Sequence, residues 1–148
     1  MEIFSFYGDR DAEIRLALSD SPGFPTTSIE GGYDLLCTLE IKVGCYSVHC
    51  TEYLTATGAL YRFSDQLKMC YEDLTGRADY GLMYEDDLRF TVTMKPSGHA
   101  VISGSFRANP AEENMLAFEM STNQSAFPAV IVGIEKLKKR YGGMQGAK

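Results

Sequence analysis

The chain has no tryptophan and only two histidines, His49 and His99, among its 148 residues. So few histidines exclude a metal site that is built mainly from imidazole ligands. The sequence also lacks a P-loop, a Gly-x-Gly-x-x-Gly segment after a strand, and a Gly-x-Ser-x-Gly nucleophile elbow. We therefore predict no catalytic residues, no cofactor and no metal ion, and we expect that the protein is not an enzyme.

Apolar stretches are too short to cross a membrane, because none reaches the roughly 18 residues that a transmembrane helix needs. Glu2 stands where a secretory signal would carry basic residues. No Cys-x-x-Cys pair occurs among the four cysteines, which are Cys37, Cys45, Cys50 and Cys70. We expect a cytoplasmic protein whose thiols stay free.

Charge is distributed unevenly along the chain. Residues 135–148 hold five basic residues and one acidic residue, or +4, whereas the whole chain carries −6, which leaves −10 for residues 1–134. A body this acidic repels phosphate backbones and attracts basic partners. The charge therefore favours binding to another protein over binding to nucleic acid.

The first half of the chain predicts about four strands and then a helix. Apolar residues alternate in 2–8, 12–18, 35–43 and 46–50, with a loop-forming segment at 19–33 and a tight turn at Gly44. Apolar spacing then changes to three and four residues, which predicts a helix at about 56–73. Thr55 or Thr57 is the predicted N-cap of this helix, and Gly76 is predicted just past its end.

The second half repeats this order. One predicted strand face holds four alternating residues, Ala78, Tyr80, Leu82 and Tyr84. Residues 88–95 and 100–106 predict a hairpin, and 116–120 predict the last strand. A second helix follows, with Ser125 as its predicted N-cap and Gly142 at its end, and residues 143–148 are expected to form a flexible tail.

This order predicts an α+β fold made of two similar halves, in which each half has antiparallel strands followed by one helix. No linker separates the halves, and each helix has one apolar face. We therefore expect a single domain over 1–148, with its ordered part at about 2–142 and one shared core.

Acidic residues cluster between the first helix and the following hairpin. Asp79, Glu85, Asp86 and Asp87 could bind a metal ion or act as acid and base, but their order is not that of an EF-hand loop. Solvated turn charges and an acidic edge for a partner are the other two interpretations.

Several segments share an order and spacing that are known from one protein group. They are 4–8, the hairpin 35–50, Leu54-Thr55 followed by Phe63 and Leu67, 76–78 with 84–88, 98–104, and 116–119 leading to Asn123-Gln124. In this respect the chain, from about 2 to 141, resembles bacterial immunity proteins that protect against contact-dependent, wall-associated toxins. These immunity proteins are the WapI-like group and related uncharacterised domains.

The resemblance implies a non-enzymatic protein that binds the C-terminal domain of a cognate toxin and covers its active site. Many such toxins are nucleases with basic clefts, so opposite charge would speed the encounter. The predicted contact surface is Asp73, Asp79, Glu85, Asp86 and Asp87, with Glu112 and Glu113 as the alternative. We expect a monomer or weak dimer without membrane contact.

Two other interpretations stay open. A generic protein-interaction domain would have the same composition. The order of four strands, helix, four strands, helix also resembles the Whirly type of single-stranded-DNA-binding fold, which implies a basic groove lined by aromatic side chains. The few basic residues on the predicted strands and the charge of −10 make nucleic acid the less favoured partner.

Overall fold

The computed structural model describes residues 1–20 and 27–143 and contains two antiparallel four-stranded sheets. The first sheet holds β1 (Glu2–Tyr7), β2 (Glu13–Asp20), β3 (Asp34–Val43) and β4 (Tyr46–Ala56), and α1 (Thr57–Asp73) follows it. The second holds β5 (Arg77–Tyr80), β6 (Leu88–Met94), β7 (His99–Arg107) and β8 (Met115–Asn123), and α2 (Phe127–Tyr141) follows it. Strand order equals chain order in both sheets. The predicted α+β fold of two similar halves is therefore confirmed.

Period-two alternation explains the strands. In β3 every second side chain is fully buried, from Leu35 through Cys37 and Leu39 to Ile41, and the residues between them are only partly covered. One face of the strand lies on the core while the other faces outward, as an antiparallel sheet allows. The turn to β4 contains Gly44 at φ 58, a left-handed conformation that glycine adopts without strain.

Each helix covers the first strand of a sheet. The helix α1 packs on β5, α2 packs on β1, and the two helices pack on each other. In α2, Gly133 lies directly against the Ile3 backbone, and the Phe127 ring meets Phe6 edge to face at 5.6 Å. Because β1 and β5 are edge strands, the helices cover one edge of each sheet. None of the helices in the described ranges is both long and apolar enough to cross a membrane.

Buried side chains from both halves form one contiguous cluster. Tyr80 of β5 is its polar centre, because its hydroxyl bonds the hydroxyls of Tyr53 (2.7 Å) and Thr55 (2.6 Å) in β4. Its ring also stacks on Phe90, with the centroids 5.1 Å apart. The two halves are thus joined by hydrogen bonds inside an otherwise apolar core.

Replacement of Tyr80 with phenylalanine is expected to lower the free energy of unfolding by about 2 kcal/mol. The ring still packs, but the buried hydroxyls of Tyr53 and Thr55 lose their shared partner. Urea unfolding of the variant measures the loss. Tyr84→Phe is the matched control, because that tyrosine is 65% exposed. Equal stability of the two variants would contradict the predicted role of the Tyr80 hydroxyl.

The strand predicted through Tyr84 ends at Tyr80 instead. Leu82 is buried, whereas Tyr84 is exposed, so the two do not share one strand face. The prediction was wrong because the backbone N–H groups of Met83 and Tyr84 bond a carboxylate from the first half rather than a neighbouring strand.

The helix ends also differ from prediction. Ala56, without a side-chain cap, precedes α1, because Thr55 bonds Tyr80 and the Thr57 hydroxyl accepts the Tyr33 N–H. Leu74 takes the left-handed C-cap position at φ 55, and Gly76 follows it at φ 94.

Before α2, the predicted N-cap Ser125 lies inside a short 3-10 turn, Gln124–Ala126. The side chain of Asn123 caps this turn by accepting the backbone N–H of Ser125. The helix itself begins at Phe127, with Pro128 in its first turn as predicted.

Part of the predicted loop 19–33 belongs to β2, which extends to Asp20. Residues 21–26 of that loop lie outside the described residues, and Thr27 bridges to Tyr33. Of the predicted tail, residues 143–148, only Gly143 belongs to the described residues.

Candidate functional site

A tight turn before β3 brings a buried acid, Glu30, next to the connection between β5 and β6. Gly31 and Gly32 lie at φ 102 and 70, which glycine tolerates far better than other residues. The turn is closed by a hydrogen bond from the Ser28 N–H to the Gly32 carbonyl (2.8 Å) and tied to α1 by one from the Gly58 N–H to the Gly31 carbonyl (3.1 Å). The position of Glu30 is therefore fixed by the backbone on both sides.

The Glu30 carboxylate holds the β5–β6 connection in place. Glu30 is only 5% exposed, and its two carboxylate oxygens accept the backbone N–H groups of Met83 (2.6 Å) and Tyr84 (2.7 Å). Arg62 of α1 donates to the Glu30 carbonyl oxygen at 3.1 Å. Hydrogen bonds to a carboxylate are stronger than those between neutral groups, so residues 81–87 are anchored although they form no strand.

Large apolar side chains are exposed around this anchor. Met83 and Tyr84 are 61% and 65% exposed, and Ile29 and Leu54 are 71% and 49% exposed. Ile29, Leu54 and Tyr84 line one small pocket together with Glu85. We name Ile29, Leu54, Met83 and Tyr84 the apolar patch; exposed apolar groups gathered in this way are typical of interaction sites, where Tyr and Met are enriched.

The structure separates the first acidic set predicted from the sequence. Asp73 ends α1, and Asp79 lies on β5, where it pairs with Arg77 (3.5 Å) and accepts the Thr91 hydroxyl (2.7 Å). Burial raises the pKa of the Cys70 thiol, and the charges of Asp73 and Asp79 raise it further. These two acids therefore lie near the end of α1, and one of them is already neutralised in part.

The other three acids of that set follow the apolar patch in the chain. Glu85 is exposed and lines the patch pocket, and Asp86 is exposed and pairs with Arg89 at 3.0 Å. Asp87 is half-buried, which raises the pKa of its carboxyl, and its side chain accepts the N–H of Leu88 at 2.7 Å. Glu85 is thus available to a partner, Asp86 is exposed but already shares its charge with Arg89, and Asp87 supports the start of β6.

Glu112 and Glu113 lie exposed in the β7–β8 loop, at the same end of the second sheet. Arg107 connects the two acidic loops, because its backbone N–H donates to the Asp87 carbonyl (2.9 Å) and its guanidinium donates to the Glu112 carbonyl (3.0 Å). The sequence predicted these two acidic sets as alternatives, but the fold brings part of both to one end. We name Glu85, Asp86, Glu112 and Glu113 the acidic rim.

An open groove of about 730 Å³ follows the outer edge of β4. Residues 46–52 form one wall, and Phe106, Ala108, Asn114, Met115 and Leu116 form the other. Tyr46 and Met115 are 62% and 52% exposed. Among the described residues that line it, Glu52 is the only Asp, Glu, Lys or Arg, so this β4 groove offers no Lys or Arg to a phosphate backbone.

The remaining reactive side chains form no catalytic arrangement in the described ranges. His49 lies on the outer face of the first sheet, 3.2 Å from Glu40, which also meets Arg15 at 3.8 Å. The cysteines form no disulfide, and burial raises the pKa of the Cys37 thiol to about 12. Within 1–20 and 27–143, no three or more His, Cys, Asp or Glu side chains are grouped so that they could hold a metal ion.

Sequence reasoning missed Glu30 and the apolar patch. The Gly31-Gly32 pair was a signal for a tight turn, but the contact of Glu30 with Met83 spans 53 residues. Tyr84 was assigned to one strand face together with Leu82, which hid its exposure.

Comparison with known proteins assigns the chain to a family. No curated protein and no solved structure matches the chain. Residues 5–142, most of the chain, match the model of the immunity protein WapI-like family. Such families generally act without enzymatic chemistry, and membership implies a toxin protein as the partner. The chain therefore belongs to the WapI-like immunity protein family.

Proposed function

We propose that the protein is a non-enzymatic immunity protein that binds the C-terminal domain of its cognate toxin and neutralises it. The family match over residues 5–142 is the observation that carries this function. The toxin docks on the apolar patch, and the acidic rim beside the patch meets basic groups of the toxin.

The arrangement of the patch supports this docking site. Stable interfaces place apolar and aromatic side chains at the centre and charged groups around them. Tyr84 and Met83 have this central position, with Glu85 and Asp86 next in the chain. Because Glu30 fixes both backbone N–H groups, little conformational freedom is lost when a partner binds.

Charge supports the same orientation. The rim combines four exposed carboxylates at one end of the second sheet, on a body that carries −10 over residues 1–134. A nuclease toxin with a basic cleft would be steered toward this end. Asp73 and Asp79 belong to the predicted surface as well, but they lie near the end of α1 rather than in the two loops of the rim.

The test is a titration of the purified protein with the toxin domain encoded immediately upstream, together with rescue of cells that express this domain. We expect tight one-to-one binding and rescue by the wild type. Tyr84→Ala is expected to weaken the affinity by about 10- to 100-fold, as loss of a central aromatic side chain does. A wild type that neither binds nor rescues would refute the proposed function.

Charge reversal tests the position of the rim. Glu85→Lys/Asp86→Lys is expected to slow association by about tenfold at low salt, with a smaller effect at high salt. Asp9→Lys/Glu119→Lys changes the charge equally at another exposed site, next to the β1–β2 turn, and serves as the control. Equal association rates for the two double variants would show that the toxin does not approach through the acidic rim.

A further inference from the structure

We infer that the free edge of β4 is a second contact, on which an extended, basic segment of the toxin adds as a fifth strand of the first sheet. This inference rests on the proposed function and names how the partner is held. It concerns the β4 groove, which lies along the same strand as Leu54 of the apolar patch.

Every second residue of β4 directs its backbone groups away from β3, the strand that it pairs with in the described sheet. A two-residue turn joins Val43 to Tyr46, so these two form the hydrogen-bonded pair beside the turn. Hydrogen-bonded and non-hydrogen-bonded pairs alternate from there along the ladder. Ser47 and His49 face Lys42 and Glu40 in the non-bonded pairs, and their N–H and C=O groups therefore point to the outer edge.

Residues 46–52 of this edge have no covering element among the described residues, whereas the other three edges are covered at least in part. The helices cover β1 and β5, and the β1–β2 turn covers part of β8, where the Asp9 N–H donates to the Ser121 carbonyl at 2.7 Å. Within the described part of the chain, residues 46–52 make no backbone hydrogen bond outside the sheet. Their sequence also contains no Pro, Lys or Arg, the residues that usually protect an edge strand from pairing.

The groove has the shape that an added strand requires. Alternate side chains of a strand point to opposite faces, so every second side chain of the added segment would enter the groove. Phe106, Met115 and Leu116 provide apolar contacts there, and the other side chains of the segment would face water. Main-chain pairing of this kind, with pockets for alternate side chains, is an established mode of peptide binding.

Charge selects the occupant. Glu52 lines the groove and Glu112 and Glu113 lie in the loop beside it, while no Lys or Arg lines it among the described residues. A basic segment complements these carboxylates. A second copy of the chain would instead bring the same acids together from both sides, which repels. The partner on the apolar patch is close enough along β4 to supply the segment.

Proline tests the backbone contact. Ser47→Pro removes one outward N–H without removing a bond to β3, whereas Ser47→Ala keeps it. With the upstream-encoded toxin domain as the probe, we expect Ser47→Pro to weaken the affinity at least tenfold and Ser47→Ala to change it less than threefold. His49→Pro and His49→Ala form a second matched pair. Both variants lose the contact between the His49 side chain and Glu40, so a difference between them reports on the backbone N–H alone.

Amide hydrogen exchange on the wild-type protein gives an answer even if the proline variants do not fold. The N–H groups of Ser47 and His49 are expected to exchange at least 100-fold more slowly in the complex than in the free protein. If the wild type binds without this protection, and the proline and alanine variants bind with equal affinities, the inferred edge contact is wrong. The proposed function would not be affected by that result. Absence of any wild-type binding would refute the proposed function itself.

The state of the free protein separates toxin pairing from self-pairing. Sedimentation velocity is expected to give the same mass for the wild type and Ser47→Pro. A free wild-type dimer that Ser47→Pro dissociates would assign the edge to a second copy and overturn the inference.

Discussion

Replacing Gly133 with alanine is expected to lower the free energy of unfolding by about 3 kcal/mol or more. A Cβ atom at this position would lie 1.9 Å from the Ile3 carbonyl oxygen and 3.1 Å from its carbonyl carbon. Both are backbone atoms of β1, so no side-chain rotation can relieve the overlap. The gain in helix propensity from alanine, about 1 kcal/mol, is too small to compensate. Urea unfolding monitored by circular dichroism measures the loss.

Gly143→Ala is the control for this prediction. Its Cβ would meet only the flexible Lys138 side chain, at 3.8 Å, which is ordinary van der Waals contact. We expect its stability to stay within about 0.5 kcal/mol of the wild type. If Gly133→Ala were equally stable, α2 could not pack so closely on β1, and the covering of that sheet edge would have to be reconsidered.

The second large effect is expected at Glu30. Glu30→Ala removes the acceptor of two backbone N–H groups, those of Met83 and Tyr84, at a site that is 5% exposed. Loss of a buried partner costs about 1–3 kcal/mol for each group left unpaired, or about 2–6 kcal/mol for two. Because both hydrogen bonds are only partly buried, we expect a loss in the lower part of this range, about 2–4 kcal/mol. Toxin affinity is expected to fall as well, because the released connection must be ordered again on binding.

Hydrogen exchange and unfolding together check this prediction. The amides of Met83 and Tyr84 are expected to exchange faster in Glu30→Ala than in the wild type, while those of β6 change less. Glu85→Ala is the matched control, since this exposed carboxylate lies in the same pocket but accepts neither N–H. Unchanged exchange of both amides in Glu30→Ala would mean that the carboxylate does not hold the connection.

Much of the fold was predictable because local periodicity determines it. Alternation at Leu35, Cys37, Leu39 and Ile41 predicted β3 and its buried face, and apolar spacing of three and four predicted α1 to within one residue of its start. The repeat of this order in the second half predicted two similar halves. These features depend on neighbours within a few residues, which the sequence displays directly.

The errors arose where distant residues override local preference. Thr55 and Thr57 have the chemistry of N-caps, but the first bonds Tyr80 and the second bonds the Tyr33 N–H. The alternation of Leu82 and Tyr84 predicted a strand, but Glu30 binds the backbone of this segment instead. A hydrogen bond to a residue more than 20 positions away leaves no local pattern.

The sequence by itself determined the class of fold, the order of its elements and the acidity of its body. Only the tertiary structure decided which acids lie together, that Asp79 and Asp86 have basic partners, and that Glu30 is buried. It also decided that residues 46–52 of β4 border an open groove in the described part of the chain, while helices pack on β1 and β5. The physical reason is that periodicity assigns a side chain to a face, whereas the packing of the two halves determines what that face meets.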